Sequence, residues 1–287
     1  MTVLVLGATG MLGHMLWEEA RKENMDAYAT VRRIPQGREH LFPKEQLRLA
    51  VDAENYSTVS NVLIELNPDV VFNCIGIVKQ SITMKDTVKT ISINSLFPHL
   101  LLRDCLKLGT RLIHLSTDCV FSGNKGLYRE SDLPDPVDFY GLSKLIGEPS
   151  GENVLVIRTS MIGPELEKEQ GLLEWFLSKK GSTVRGYTNA VFSGLYTRSL
   201  ARLILKLAKS SVSGLRNLST EPISKYALLE KIRDVCKLPI EIVPDGSVHV
   251  DRSLDSTMIL EECRLEIPLW NEMADLLAED LRREGKT

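Results

Sequence analysis

Three glycines at three-residue spacing constrain the fold of this chain more than any other feature. Gly7, Gly10 and Gly13 follow the apolar run Val3–Leu6 and open the apolar helical pattern Met11–Lys22. Glycine permits a tight turn, and its backbone can approach a phosphate that the first amides of a helix attract. A plain strand-to-helix turn is the alternative. The position in the first βα unit favours a dinucleotide pyrophosphate.

Short β-branched runs alternate with helical patterns through the first two thirds of the 287 residues. This alternation is typical of βαβ units and predicts an α/β fold with a doubly wound parallel (Rossmann) sheet. After Arg158 glycines break the pattern, and we expect a smaller, mixed C-terminal substrate lobe. The predicted dinucleotide domain comprises 1–160 plus 196–239, and the second lobe with the C-terminal helix comprises 161–195 plus 240–287.

Composition limits the classes of function. The net charge of −3 gives no electrostatic reason to expect nucleic acid or an anionic membrane as a partner. No apolar run is long enough to cross a bilayer, and the five cysteines contain no Cys-x-x-Cys pair. The five histidines are scattered without ligand spacing. We therefore expect a cytoplasmic enzyme without a metal.

The end of the second predicted strand bears on the choice of cofactor. This position usually offers an acid for a ribose hydroxyl or a base for a 2′-phosphate, and here it offers Arg32 and Arg33. An arginine fork matches phosphate, so we predict NADP(H) in preference to NAD(H). Two solvated surface arginines are the alternative. Asp52 follows the third strand and is equally plausible near the adenine or as a cap.

A tyrosine and a lysine stand one helical turn apart, as Tyr140 and Lys144. Tyr-x-x-x-Lys is a weak pattern by itself, but an ammonium near a phenol favours acid–base work. Thr117 ends a predicted central strand, where open α/β sheets bind ligands. A hydroxyl turn is the alternative for Thr117. The three residues together predict ketone reduction, with Thr117 orienting the carbonyl.

Longer strings around these residues resemble the dTDP-4-dehydrorhamnose reductase family of extended short-chain dehydrogenase/reductases. The matching strings run in order and cover nearly the whole chain: 115–123, 128–130, 140–148, 158–160, 252–255 and 268–270. The resemblance implies reduction of C4 on a nucleoside-diphosphate 4-keto-6-deoxyhexose by NADPH, which would supply a deoxysugar for polysaccharide. In this chain it implies Thr117, Tyr140 and Lys144 as the catalytic residues.

The predicted binding residues fall into two sets. Those expected at the cofactor are Gly7, Thr9, Gly10, Met11, Leu12, Gly13, Arg32, Arg33, Asp52, Cys74, Ile75, Gly76, Asn94, Tyr140 and Lys144. Those expected at the nucleotide sugar are Lys79, Thr117, Asp118, Cys119, Met161 and Phe192. Asn94 has two open roles, in a water-mediated proton path or in helix packing. Lys79 or Gln80 could face the sugar or the cofactor, or lie in a solvated loop.

Two positions depart from the family pattern where the sugar is expected. Cys119 stands where the family usually has tyrosine, and Met161 where it has tryptophan. Smaller or more flexible side chains would reshape the pocket and leave space for a bulkier substituent such as a 2-acetamido group. The substrate is therefore either the rhamnose precursor or a UDP-2-acetamido-2,6-dideoxy-4-hexulose, with the nucleoside undecided.

Other functions stay open. A sugar-nucleotide 4,6-dehydratase or 4-epimerase of the same superfamily is one alternative, although Cys119 stands where a dehydratase would place glutamate after Thr-Asp. A non-catalytic NADP-binding subunit resembling the methionine adenosyltransferase beta subunit is another. The superfamily also implies a homodimer through the helices that contain Asn94 and Tyr140.

Overall fold

The computed structural model describes residues 1–79, 86–167 and 170–287. Its centre is a parallel sheet of seven strands in the order β3-β2-β1-β4-β5-β6-β11. The strands are β1 (Thr2–Leu6), β2 (Asp26–Thr30), β3 (Leu47–Arg48), β4 (Val70–Asn73), β5 (Arg111–Leu115), β6 (Val154–Arg158) and β11 (Gly214–Asn217). The strand order reverses between β1 and β4, which opens a crevice at the carboxyl ends of the strands.

Helices cover both faces of this sheet. They are α1 (Met11–Lys22), α2 (Tyr56–Leu66), α3 (Thr87–Thr90), α4 (Phe97–Leu108), α5 (Phe139–Ile146), α6 (Leu172–Leu177), α7 (Thr197–Ala208), α8 (Lys225–Cys236), α9 (Thr257–Cys263) and α10 (Trp270–Arg283). Side chains alternate across a strand, so Val3 and Val5 of β1 join the core with α1 and α7, while Leu4 and Leu6 join the core with α2 and α4. The doubly wound parallel sheet predicted from the sequence is confirmed.

Two predicted elements differ in extent from those in the structure. The apolar run Leu47–Val51 predicts a strand, but β3 ends at Arg48, because the backbone of Ala50 enters the left-handed region with φ of 58°. The apolar spacing over Ile91–Leu108 predicts a helix, but the helix begins at Thr87 and widens to a π-helix over Ile91–Leu96. Pro98 has no N–H to donate to the carbonyl of Asn94, which favours the wider turn there.

Three small sheets lie beside the central one and form the smaller mixed region that the sequence predicted. They pair β7 (Met161–Ile162) with β10 (Leu195–Tyr196), β8 (Thr183–Tyr187) with β13 (Glu241–Asp245), and β9 (Ala190–Phe192) with both β12 (Ile223–Ser224) and β14 (Val250–Asp251). α8 packs against β8 and β13, whereas α7 packs against α1. The exact division of the chain into two lobes stays a prediction.

None of the helices in the described part of the chain combines the length and the apolar character needed to cross a membrane.

Candidate active site

The glycine turn joins β1 to α1 at the crevice. Gly7 has φ of +79°, and the N–H of Gly10 donates a hydrogen bond of 3.0 Å to the carbonyl of Gly7. A Cβ atom on Gly13 would lie 2.1 Å from the carbonyl oxygen of Gly7, so this helical position has no room for a side chain. The close packing brings the first amides of α1 to the mouth of the crevice, where a pyrophosphate fits.

A cleft of about 250 Å³ continues from this turn along the carboxyl ends of β1, β2 and β4. Six of the residues predicted at the cofactor line it, namely Gly7, Thr9, Arg32, Asp52, Ile75 and Gly76. Met11, Leu12 and Gly13 form the first turn of α1 beside it. Cys74 follows β4 directly, and burial raises the pKa of its thiol to about 12. Predicted cofactor residues thus line this cleft beside the first turn of α1, where a doubly wound sheet binds a dinucleotide.

The two arginines point to different partners. Arg32 lines the cleft, whereas the guanidinium of Arg33 lies 2.9 Å from a carboxylate oxygen of Glu167. Asp52 also lines the cleft, and its carboxylate accepts a hydrogen bond of 3.1 Å from the N–H of Glu54. Asp52 thus caps its own turn while it faces the cleft.

Sequence reasoning missed three polar residues of the cleft wall, Thr30, Asp86 and Lys89. The hydroxyl of Thr30, at the end of β2, accepts a hydrogen bond of 3.3 Å from the N–H of Gly7. Lys89, on α3, lines the cleft with its ammonium 2.6 Å from a carboxylate oxygen of Glu54. A hydroxyl at a strand end is the signal that identified Thr117, and it also applied to Thr30. Lys89 has no comparable local signal.

Asn94 joins the wall of the cleft to the helix that carries Tyr140. Its side-chain oxygen accepts a hydrogen bond of 2.8 Å from the N–H of Ile77, and its amide donates 3.0 Å to the carbonyl of Ile77 and 3.1 Å to the hydroxyl of Ser143. Asn94 is buried and lies in the π-helical segment, a widening often found at functional sites. These contacts agree with the packing role among the two that the sequence left open.

The three residues predicted to be catalytic meet at the carboxyl end of β5. Asp138 caps α5 by accepting a hydrogen bond of 2.8 Å from the N–H of Gly141, and this fixes the first turn that carries Tyr140. One turn later, the buried ammonium of Lys144 donates a hydrogen bond of 2.7 Å to the carbonyl of Leu115. The hydroxyl of Thr117 accepts a hydrogen bond of 3.1 Å from the N–H of Cys119.

Burial determines the protonation state of Tyr140. It raises the pKa of Tyr140 well above its usual value; the charge of Cys119 acts in the same direction, and a hydrogen bond with Thr117 opposes the shift. The sequence led us to expect that Lys144 would lower this pKa, and the structure gives the opposite direction, because desolvation dominates. Tyr140 is therefore a neutral phenol at pH 7, the form that can donate a proton.

Burial also acts on Lys144, lowering the pKa of its ammonium to about 8, while the charge of Glu148 opposes the shift. Glu148 is held in place behind Lys144. Its carboxylate accepts a hydrogen bond of 2.6 Å from Ser116, and bonds of 2.9 Å and 2.7 Å from the buried guanidinium of Arg158. Lys144 thus stays mainly protonated at neutral pH beside an ordered carboxylate.

The structure brings together part of the predicted sugar site. The ammonium of Lys225 lies 3.4 Å from the centre of the Phe192 ring and interacts electrostatically with Asp118 and Cys119. Lys225 was not predicted from the sequence, because it follows Cys119 by more than a hundred residues and stands in an ordinary helical pattern.

Two other positions expected at the sugar, Lys79 and Met161, are not part of the group around Lys225. The ammonium of Lys79 is exposed and lies 2.6 Å from the carboxylate of Asp138. Met161 is partly buried in β7, where it pairs with Leu195 of β10. Gln80 lies outside the described residues.

The fold, with its glycine turn at the switch point of the sheet, defines the class of protein as an extended short-chain dehydrogenase/reductase. Within that class, the chain belongs to the family described as the RmlD substrate binding domain, whose family model matches residues 1–274. The dTDP-4-dehydrorhamnose reductase of Bacillus anthracis, solved in complex with NADP, has the same fold. Its TM-score is 0.81 at 23% identity, over 97% of this chain and 99% of that one. The resemblance noted in the sequence is confirmed.

Curated relatives carry different functions in their names. The bovine methionine adenosyltransferase 2 subunit beta is 29% identical over 171 residues, which are 58% of this chain and 48% of that protein. This match therefore spans about half the length of the relative. A probable low-salt glycan biosynthesis reductase of Haloferax volcanii, Agl14, is 28% identical over 226 residues, which are 75% of this chain and 73% of that protein.

Proposed function

We propose that this protein uses NADPH to reduce the C4 ketone of a nucleoside-diphosphate 4-keto-6-deoxyhexose. The observation that carries the proposal is the neutral phenol of Tyr140, which lies beside Thr117 and one helical turn from the buried ammonium of Lys144. Reduction of a ketone needs a proton donor at the carbonyl oxygen, and a phenol with a raised pKa holds its proton for that step.

The cleft supports a dinucleotide cofactor. The glycine turn and the start of α1 would hold the pyrophosphate, and Arg32 would meet a 2′-phosphate at the end of β2. When bound, NADPH supplies the hydride for the ketone carbon. A Cβ atom added to Gly76, which lines the cleft, would lie 3.9 Å from the ammonium of Lys144. The charge of Lys144 is therefore close to the wall of the cleft. Lys144 would therefore hold the nicotinamide ribose.

At the ketone, each of the three residues has a separate task. Thr117 would orient the carbonyl oxygen by a hydrogen bond, and Tyr140 would give its proton to that oxygen as negative charge develops there. Lys144 would stabilise the phenolate that remains. The buried position of Thr117 and the partial burial of Tyr140 keep water away from this transfer.

The sugar would lie between this group and the side chains of Asp118, Cys119 and Phe192. We propose two substrates, the dTDP-linked precursor of rhamnose and a UDP-2-acetamido-2,6-dideoxy-4-hexulose. Both would yield a deoxysugar donor for surface polysaccharide, in keeping with the glycan biosynthesis named for the Haloferax relative.

The test is NADPH oxidation with four substrates: dTDP- and UDP-linked 4-keto-6-deoxy sugars, each with and without a 2-acetamido group. We expect turnover with at least one substrate and formation of the 4-hydroxy sugar. The variant Tyr140→Phe should lose turnover while it retains NADPH binding. A wild-type protein inert toward all four would refute the proposal.

A non-catalytic role is the second candidate, favoured by the match to the methionine adenosyltransferase 2 subunit beta. In that case the wild-type protein would bind NADPH and a partner chain without reducing any of the four sugars. An epimerase would instead retain bound NAD on purification and interconvert a nucleotide sugar without net consumption of NADPH. The same assay, with analysis of the cofactor that copurifies, separates the three functions.

We also propose a homodimer through the helices that contain Asn94 and Tyr140. Large apolar side chains on these helices are exposed, namely Val88, Ile91, Leu96, Leu142 and Ile146. Exposed large apolar side chains on neighbouring helices are typical of an interface between copies. Analytical ultracentrifugation of wild type and Leu142→Glu should show a dimer and a monomer respectively; a monomeric wild-type protein would contradict this.

A further inference from the structure

Arg33 and Glu167 form an ion pair beside the dinucleotide cleft. The guanidinium of Arg33 lies 2.9 Å from a carboxylate oxygen of Glu167, although the two residues are far apart in the chain. Arg33 directly follows Arg32, which lines the cleft, and both come shortly after β2. The end of this strand is where a doubly wound sheet contacts the 2′ position of the adenosine ribose. The ion pair therefore involves one of the two arginines expected to bind a 2′-phosphate.

The segment that carries Glu167 is anchored by its neighbours. Leu166 is partly buried against the large apolar core, and Ile34, the residue after the two arginines, packs against the same core. Farther along the segment, a Cβ atom added to Gly171 would lie 2.9 Å from the methyl carbon of Met11, the first residue of α1. The segment thus runs close to the start of α1, and packing against one core holds the two backbones of the ion pair near each other.

The ion pair limits what Arg33 can bind. A guanidinium presents its donors in one plane, so a carboxylate bound to it also fixes the direction of the donors that remain. In the part of the chain that the structure describes, no carboxylate forms an ion pair with Arg32. The two adjacent arginines therefore differ in their ability to bind an anion, because Arg32 is available and Arg33 is engaged.

We propose that Glu167 is a specificity-determining residue of the cofactor site, which holds Arg33 away from the 2′-phosphate and leaves Arg32 to bind it. This inference rests on the proposed function only in requiring that the cleft binds NADPH. Consecutive Cα atoms are about 3.8 Å apart, so Arg33 starts next to the residue that lines the cleft. Without its carboxylate partner, the long side chain of Arg33 turns toward the same phosphate. Glu167 therefore limits the affinity for NADPH but not for NADH, which has no phosphate at this position.

Binding measurements on the full chain test this without requiring turnover. Fluorescence titration with NADPH and with NADH would compare the wild type, Glu167→Gln, Arg33→Ala and the double variant. We expect Glu167→Gln to tighten NADPH binding by about three- to tenfold, a modest gain because solvent screens an exposed charge pair. NADH binding should change less than about twofold. In the Arg33→Ala background the same substitution should change NADPH binding less than about twofold, since the side chain that it would release is missing.

Glu262→Gln is the matched control, because Glu262 forms a partly exposed ion pair of 2.7 Å with Arg216 on β11, at the far edge of the central sheet. It removes the same charge and should leave both affinities unchanged. Unchanged or weaker NADPH binding in Glu167→Gln, equal tightening of NADPH and NADH, or equal tightening without Arg33 would overturn the inference. A protein that gives the expected affinities but reduces none of the four sugars would uphold the inference and refute only the proposed function. A wild type that binds neither dinucleotide would refute both.

Discussion

The ammonium of Lys144 donates a hydrogen bond of 2.7 Å to the backbone carbonyl of Leu115, the last residue of β5. This contact ties the helix that carries Tyr140 to the strand that leads into Thr117. The positions of Tyr140, the proposed proton donor, and of Thr117, the residue proposed to orient the carbonyl, thus depend on α5 and β5. Five predictions follow from this arrangement and from the cleft beside it.

Removing the hydroxyl of Tyr140 should stop proton transfer but leave cofactor binding intact. We expect Tyr140→Phe to lower kcat by about 10²- to 10⁴-fold, the range for loss of a general acid. NADPH affinity, measured by fluorescence titration, should change less than about threefold. Tyr187→Phe is the control, since Tyr187 is exposed in β8. A Tyr140→Phe enzyme with full turnover would exclude the proposed role.

Activity should fall as pH rises through about 8. Because burial lowers the pKa of Lys144 to about 8, its ammonium loses the proton there and no longer supports the ribose or the phenolate. Lys144→Arg cannot deprotonate in this range, so its profile of kcat against pH should lack the alkaline fall even if its maximum is lower. An identical alkaline fall in both proteins would show that another group titrates.

The lowered pKa of Lys144 has the opposite effect on stability, because it makes the free energy of unfolding rise with pH where activity falls. The unfolded chain holds the lysine proton up to a pKa of 10.5, whereas the folded chain releases it near 8. Between these values the unfolded state binds more protons, so this group makes the free energy of unfolding rise with pH. Denaturant titrations at several pH values should show a smaller rise in Lys144→Met than in wild type, while Lys225, with its own pKa lowered to about 8, contributes equally in both.

A side chain at Gly13 should disrupt the turn. In Gly13→Ala the added Cβ would lie 2.1 Å from the carbonyl oxygen of Gly7, a backbone atom that cannot rotate away. We expect a loss of at least about 2 kcal/mol in the free energy of unfolding, together with loss of NADPH binding. Gly246→Ala is the control, since its nearest neighbour would be 3.5 Å away. Equal stability of the two variants would contradict this reading of the turn.

The arginines should differ in their effect on cofactor preference. Arg32 lines the cleft, so Arg32→Ala should weaken NADPH binding by about 10- to 100-fold and leave NADH binding nearly unchanged. Arg33 is exposed and bound to Glu167, so Arg33→Ala should have less than about a threefold effect. The measurement is kcat/KM with each cofactor. A larger effect at Arg33 would assign the 2′-phosphate to the other arginine.

Local patterns predicted most of the central fold. The helix Met11–Lys22 has the bounds that its apolar pattern predicts, because an apolar stripe of helical period determines where a helix packs. The strand from Leu47 was predicted too long, since the positive φ of Ala50 has no signature in an alanine. The widened turn at Asn94 was missed because a single proline has several structural outcomes.

The site was predictable where its residues follow strands of the parallel sheet. Thr117 and Asp118 lie just beyond the carboxyl end of β5, and the topology places that end of the strand at the crevice. Lys225 was not predictable, because only the packing of α8 against the small sheets brings it to Phe192 and Asp118. The separate directions of Arg32 and Arg33 also depend on a distant partner, Glu167, that no local pattern identifies.

The three hydrogen bonds of Asn94 connect Ile77, in the wall of the cleft, with Ser143, on the helix that carries the proposed proton donor Tyr140. A shift of the loop at Ile77 would be transmitted through Asn94 to Ser143, which lies in the helical turn between Tyr140 and Lys144. Substitution of Asn94 should therefore affect both occupancy of the dinucleotide cleft and alignment of the phenol.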